Sequence, residues 1–167
     1  MLLAVDTYYF ENKAKTVGLA FDDWEATAER HRYVETLEHV AEYVSGEFYK
    51  RELPCILSLM ATYKLGAFEA IIVDGFVYLD DDGKMGLGGH LYKALGKTIP
   101  VIGVAKTDFI SLKTNKKALL RGNSSKPLFI TAIGVDLDLA TEKIKIMNGD
   151  FRMPALLKKL DVLTKSP

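Results

Sequence analysis

The sequence predicts an α/β fold, a mixed sheet with helices on both faces. Two short apolar runs, residues 2–7 and 16–21, come early with no helical stretch between them. From about residue 53 onward, apolar runs alternate with segments whose apolar residues recur at helical spacing. Residues 68–73 (FEAIIV) and 99–105 (IPVIGVA) are apolar almost throughout, as in strands covered on both faces of a parallel sheet.

Taken in order, residues 2–7 form a central strand ending near Asp6, and 16–21 a second. Asp22–Asp23 is a turn signal, so the next strand is expected to return antiparallel somewhere within 25–40, although that stretch also suits a helix. A helix follows with Pro54 at its first turn, where a missing N–H is harmless. Leu53, Ile56, Leu57, Met60 and Ala61 give its apolar stripe, and Gly66 its stop. The strand 68–73 closes on Asp74–Gly75. Then come a helix over 87–95, strands over 99–105 and 127–133, a helix from a cap at Asp138 to about Met147, and a last helix over 153–164.

The length, 167 residues, suits one domain spanning 1–167 and allows a sizeable core. No apolar run reaches the roughly 18 residues of a membrane span. The start, MLLAVDTYYF, lacks a basic n-region and reads as a strand, not a signal peptide. A single cysteine, Cys55, excludes an internal disulfide and fits a reducing, cytoplasmic setting; on the apolar helix stripe it reads as a small buried hydrophobe. Twenty-two basic residues balance 22 acidic ones, so any nucleic-acid groove must be a local patch.

Asp6 and Asp74 each close an apolar strand, and Lys106 follows another. In open α/β sheets that edge is where sites are built. A strand-end Asp also suits simple bonding to nearby backbone, and DG is a common turn dipeptide. Two such acids on central strands suggest a hard-metal site for Mg²⁺, which takes carboxylate oxygens and keeps waters for substrate.

Local strings then point to a family. GEFYKRELPCIL, preceded by Tyr43-Val44-Ser45, resembles the endonuclease V segment Y-[IV]-P-G-x-x-x-F-R-E, with Tyr43, Gly46, Arg51 and Glu52 on its motif positions. AVD at 4–6 resembles that family's first-strand metal motif, and IIVDG at 71–75 its strand ending in DG. GLGGHL at 86–91 is similar to GLASHL, and IPVIGVAK at 99–106 to LPTIGVAK. RMPALLKKLD at 152–161 resembles R-[IL]-P-E-P-x-R-x-A-[HD], with Asp161 in the final place. The pieces keep the family's order over nearly the whole chain.

The resemblance implies an RNase H-like fold. It implies that Asp6, Glu52, Asp74 and Asp161 hold Mg²⁺ or Mn²⁺, with Asp6 and Asp74 on adjacent parallel strands. Lys106 would add positive charge near a phosphate, or else be a solvated strand-end lysine. Tyr43 resembles the wedge that fills the place of a displaced base, or else packs in the core. Gly46, Arg51, Gly75 and Phe76 would contact nucleic acid. The implied partner is DNA or RNA containing inosine, with no membrane. The implied activity is hydrolysis of a phosphodiester near a deaminated purine.

There are departures. The family's D-G-x-G-x-x-H-P-R-R is altered after Gly75: Val77 replaces the second glycine, an acid replaces the histidine, and Asp80–Asp82 read as a solvated turn or a second metal-linked feature. Val77 is expected to narrow the base pocket. Ser45 replaces a proline, the loop after Lys106 is short, and GHR is altered to Gly134-Val135-Asp136. His90 reads as structural, and His31 and His39 match no motif. Strand cleavage with weakened inosine preference is the resulting expectation. Alternatives are a nuclease of the same fold with structure-selective specificity, or a non-catalytic nucleic-acid-binding descendant.

Overall fold

A computed structural model describes residues 1–38, 42, 47 and 49–167. The chain opens with a hairpin of β1 (Leu2–Phe10) and β2 (Lys13–Phe21). Both strands outrun the expected 2–7 and 16–21. Glu11 and Asn12, at φ 48 and 63, make a two-residue turn with both residues left-handed, which matches the strand twist and lets pairing run to Phe10↔Lys13. The Thr7 and Thr16 hydroxyls bond across the ladder at 2.9 Å. β3 (His31–Glu38) returns antiparallel to β2, so the ambiguous stretch supplies a strand from His31 onward, after turns and bends over 25–30.

The first helix, α1 (Tyr49–Thr62), begins earlier than expected, so Pro54 lies inside it and not at its first turn. The ring leaves the Lys50 carbonyl without its helical donor, close to the frayed end where that costs least. Lys64, at φ 54, ends the helix and Gly66 does not; the Leu65 N–H closes back on the Met60 carbonyl at 2.8 Å. β4 (Ala70–Asp74), α2 (Leu87–Ala94) and β5 (Val101–Ala105) follow. Next come β6 (Lys117–Leu119), too short for a sequence signal, and β7 (Leu128–Ile133). Last are α3 (Leu137–Ile146) and α4 (Ala155–Lys165). The cap of α3 is Asp136, which accepts from the Leu139 N–H; Asp138 instead pairs with Lys117 at 2.7 Å.

The seven strands form one mixed sheet in the order β3-β2-β1-β4-β5-β7-β6. The central β1, β4 and β5 are parallel, and every other neighbouring pair is antiparallel. This is the α/β mixed sheet that the sequence predicts, in the RNase H-like arrangement that the family resemblance implies. Period-two alternation divides the core. Leu2 and Ala4 of β1, Ala70 and Ile72 of β4, and Ile102 and Val104 of β5 pack under α3 and α4. Leu3, Val5, Ile71, Val73 and Val101 pack under α1 and α2. No described helix is long and apolar enough to cross a membrane.

Gly103 of β5 sets how closely the loop after β4 lies on the sheet. A Cβ there would run into the Gly75 carbonyl oxygen and Thr131 Oγ1. Gly103→Ala is expected to lower stability by about 1–3 kcal/mol, read as the denaturation midpoint, because backbone and a buried hydroxyl must both give way.

Candidate metal centre

The last pair of the β1/β4 ladder is Val5↔Val73, so Asp6 and Asp74 stand side by side one residue further on. Adjacent strands are about 4.8 Å apart. Asp6 shares parity with Ala4, Asp74 with Ile72, and Lys106 with Val104, so all three turn to the face covered by α4. There they line one pocket with Met153, Leu157, Leu160 and Asp161. Strand parity brings in three of these charged groups, and the docking of α4 adds the fourth.

Several contacts fix α4. Its Lys159 reaches Glu29 in the β2–β3 connection at 2.6 Å, and Lys15 Nζ donates to the Ser166 carbonyl at 2.6 Å. Ahead of the helix, the buried Arg121 guanidinium donates to the carbonyls of Phe151 (2.6 Å), Met147 (2.7 Å) and Gly149 (3.1 Å). The Arg152 guanidinium donates to the carbonyls of Lys106 and Pro127. Asp161 itself pairs with Lys165 at 3.1 Å, one turn along.

Glu52 approaches from the opposite face, in the first turn of α1. It is 2 % exposed and does not line the pocket. It nonetheless feels the acids: burial raises its pKa well above the carboxylate range, and Asp6 and Asp74 raise it further. Burial, then Asp74, pushes Asp6 up to about 7, against a 2.9 Å hydrogen bond from the Thr7 N–H. Asp74 opens to solvent at the pocket mouth, yet the protein around it raises its pKa; Lys106 opposes that shift and Asp161 adds to it.

These residues suit a hard divalent ion by donor chemistry: carboxylate oxygens that repel one another and lack enough cations to settle them. The side chains do not form a finished cage. Among the described residues, no three His, Cys, Asp or Glu side chains stand close enough to hold one ion as placed. Mg²⁺ commonly takes one or two carboxylates and completes its shell with water and phosphate, so the Asp6–Asp74 pair meets the minimum.

The remaining candidates divide. Tyr43 and Gly46 lie outside the described residues. Arg51 lays its guanidinium on the Tyr9 ring, 3.7 Å from the centroid, with its buried Nε unpaired among the described residues. Gly75 adopts φ 133, and its N–H donates to the Val104 carbonyl at 3.1 Å. Phe76 meets Phe109 with ring centroids 5.8 Å apart. Cys55 is buried as expected, and His90 stacks on Tyr49 at 3.6 Å, a packing role.

The expectation that Val77 narrows a pocket is corrected. Its side chain is fully buried against α2, where a Cβ on Gly88 would come within 2.8 Å of it. The paired glycines of GLGGHL make room for the valine that replaced a glycine. Its N–H is spent on Thr131 Oγ1 at 2.9 Å. Asp80 caps its own turn, accepting from the Asp82 and Lys84 N–H groups. Asp81 accepts from the N–H groups of Lys113, Thr114 and Asn115, clasping the loop after β4 to the loop after β5. The sequence reading of Asp81 as part of a solvated turn or metal-linked feature did not foresee this clasp, since nothing local marks its distant partners. Sequence reasoning also missed Lys165, although the i,i+4 spacing from Asp161 was visible.

The endonuclease V family model matches residues 1–161. This chain belongs to the endonuclease V family. Solved structures agree on the fold. Endonuclease V from Streptomyces avermitilis is 22% identical, with a TM-score of 0.75 over 98% of this chain and 79% of that one. Human endonuclease V is also 22% identical, with a TM-score of 0.75 over 98% and 82%. Ciona intestinalis endonuclease V, solved with a 24mer DNA containing an inosine followed by a ribo-adenosine, is 18% identical, with a TM-score of 0.80 over 98% and 84%. No curated protein sequence matches the chain.

Asp6 carries a pH prediction for the metal-free protein. Its native pKa of about 7 lies above its ordinary 3.8, so the folded state holds the proton more tightly than the unfolded chain. Its contribution to stability is therefore complete below about pH 4 and is lost as pH rises to about 7. Glu52 and Asp74 shift in the same direction. In EDTA, Tm should fall across that window. Mg²⁺ or Mn²⁺ should raise Tm more at about pH 8 than at about pH 5. A flat profile that metal leaves unchanged would contradict this electrostatic picture.

Proposed function

We propose that this endonuclease V family member is a divalent-metal-dependent endonuclease that cuts a phosphodiester of DNA or RNA near a deaminated purine. The observation that carries the reading is the convergence of Asp6, Asp74, Asp161 and Lys106 on one strand-end pocket, with Glu52 coupled to it from behind. Asp6 and Asp74 would hold the ion, with Asp161 completing its shell once released from Lys165. A bound Mg²⁺ or Mn²⁺ supplies Lewis-acid polarisation of the phosphodiester and lowers the pKa of water. Lys106 offers its ammonium to the non-bridging phosphate oxygens, where negative charge builds during in-line displacement. Buried Glu52 is held toward its protonated form, and a cation bound at the strand ends would favour its ionisation and so gain a negative charge behind the site.

Inosine selection is the finer part of the proposal. The Ciona relative was solved with inosine-containing DNA. Here a base would meet the loop that carries Phe76. The Val77 N–H is already committed to Thr131, so that donor is withdrawn from any base edge. A missing hydrogen bond of this kind lowers discrimination by roughly ten- to a hundredfold. A second reading, a non-catalytic nucleic-acid-binding descendant, is favoured by the side chains that fall short of a cage.

The test is cleavage of matched oligonucleotides with and without one inosine, in Mg²⁺ and Mn²⁺, at one salt concentration. Both should be cut, with an inosine preference of roughly tenfold or less. Asp74→Asn should abolish cutting and blunt the metal-induced rise in Tm. No cutting of either substrate in Mn²⁺ selects the second reading, and a large inosine preference refutes the weakened pocket.

A further inference from the structure

The carboxylate pocket continues into two grooves. Met153 lines both the pocket and a groove formed with Phe151, Arg152 and Lys158; Gly149 joins that groove to a third concavity beside Leu120 and Lys145. The hydrogen bond from Arg152 to the Lys106 carbonyl ties the first junction together.

Phe151 stands out along this path. The residue is 79 % exposed, and Leu120 further along is 60 % exposed. Phe151 is not on a loosely held loop. Its own carbonyl and those of Met147 and Gly149 are drawn inward by Arg121, which turns the ring outward. Gly122, at φ 61, packs so tightly that a Cβ there would strike the Asp150 carbonyl. The aromatic is thus held in water by a rigid backbone, as a stacking platform must be. Outside the carboxylate pocket, the charged groups lining the two grooves are Arg121, Lys145, Arg152 and Lys158, against the single carboxylate Asp150. In a chain with no net charge, that local excess complements a polyanion.

We propose that the grooves lined by Phe151, Arg152, Lys158 and Lys145 form a track for the single strand flanking the scissile phosphate, with a base of that strand stacked on Phe151. The track rests on the nuclease reading, because its continuity with the carboxylate pocket gives the strand its direction. Base–aromatic stacking tolerates any sequence, so the track adds affinity without adding base specificity.

The experiment uses the full chain with Ca²⁺ in place of Mg²⁺. Fluorescence anisotropy gives Kd for a labelled single strand with a central inosine, and for versions trimmed on either side of it. For the wild type, trimming one side should weaken binding and trimming the other should matter less. Phe151→Ala and Lys158→Glu should each weaken the long strand about tenfold and leave the strand trimmed on the sensitive side unchanged. Phe151→Trp should retain wild-type binding. Variants that bind the long strand like wild type, or that weaken long and trimmed strands alike, overturn the track while cleavage by the wild type keeps the nuclease reading intact. A wild type that neither binds nor cuts brings down both.

Discussion

Where β1, β4 and β5 end, strand alternation turns Asp6, Asp74 and Lys106 to one face, and α4 closes over them with Asp161. Two carboxylates on neighbouring parallel strands cannot move apart, because the ladder beneath them fixes their spacing. Each is partly withdrawn from water, and each raises the cost of charging the others. Much of the remaining architecture bears on that repulsion. Lys106 and Lys165 offset it from within the fold, the Thr7 N–H satisfies one oxygen of Asp6, and burial together with Asp6 and Asp74 holds Glu52 toward its protonated form. An apolar isostere would be easier to bury, and this cost of keeping the acids is what the proposed cation site would repay.

The supports around the centre are made largely of backbone carbonyls and N–H groups. Arg121 gathers carbonyls from the segment before α4, and Arg152 of that segment reaches the carbonyls of Lys106 and Pro127; together they fix where that helix starts and where Asp161 falls. Asp81 gathers three N–H groups from the loop after β5. Gly103 and Gly88 let the loop between β4 and α2 lie close to the sheet, so Val77 fills a gap in the core and leaves the pocket mouth free. The loops that depart most from the family pattern are thus bound into the scaffold in their own way. The geometry at the strand ends does not depend on them.

The sequence by itself determined the central strands and the strand-end charges, while it left β3 open between strand and helix and gave no signal for the short β6. Apolar runs of strand length, closed by Asp6, by Asp74 and just before Lys106, state both at once, because period-two alternation is a local property. It also marked the caps and turns imperfectly. Asp138 was expected to cap α3 and Asp136 does; Gly66 was expected to stop α1 and Lys64 does. At such positions neighbouring residues compete on nearly equal local terms, and the wider packing chooses. The tertiary structure alone decided which distant groups meet. The pairing of Asp161 with the strand-end acids depends on how α4 docks through Lys159, Lys15 and Arg121. The hold of Asp81 on residues 113–115, the fit of Val77 into Gly88, and the outward turn of Phe151 follow likewise from long-range packing. No periodicity or short motif encodes those meetings, because each joins segments whose separation along the chain is closed only by the fold.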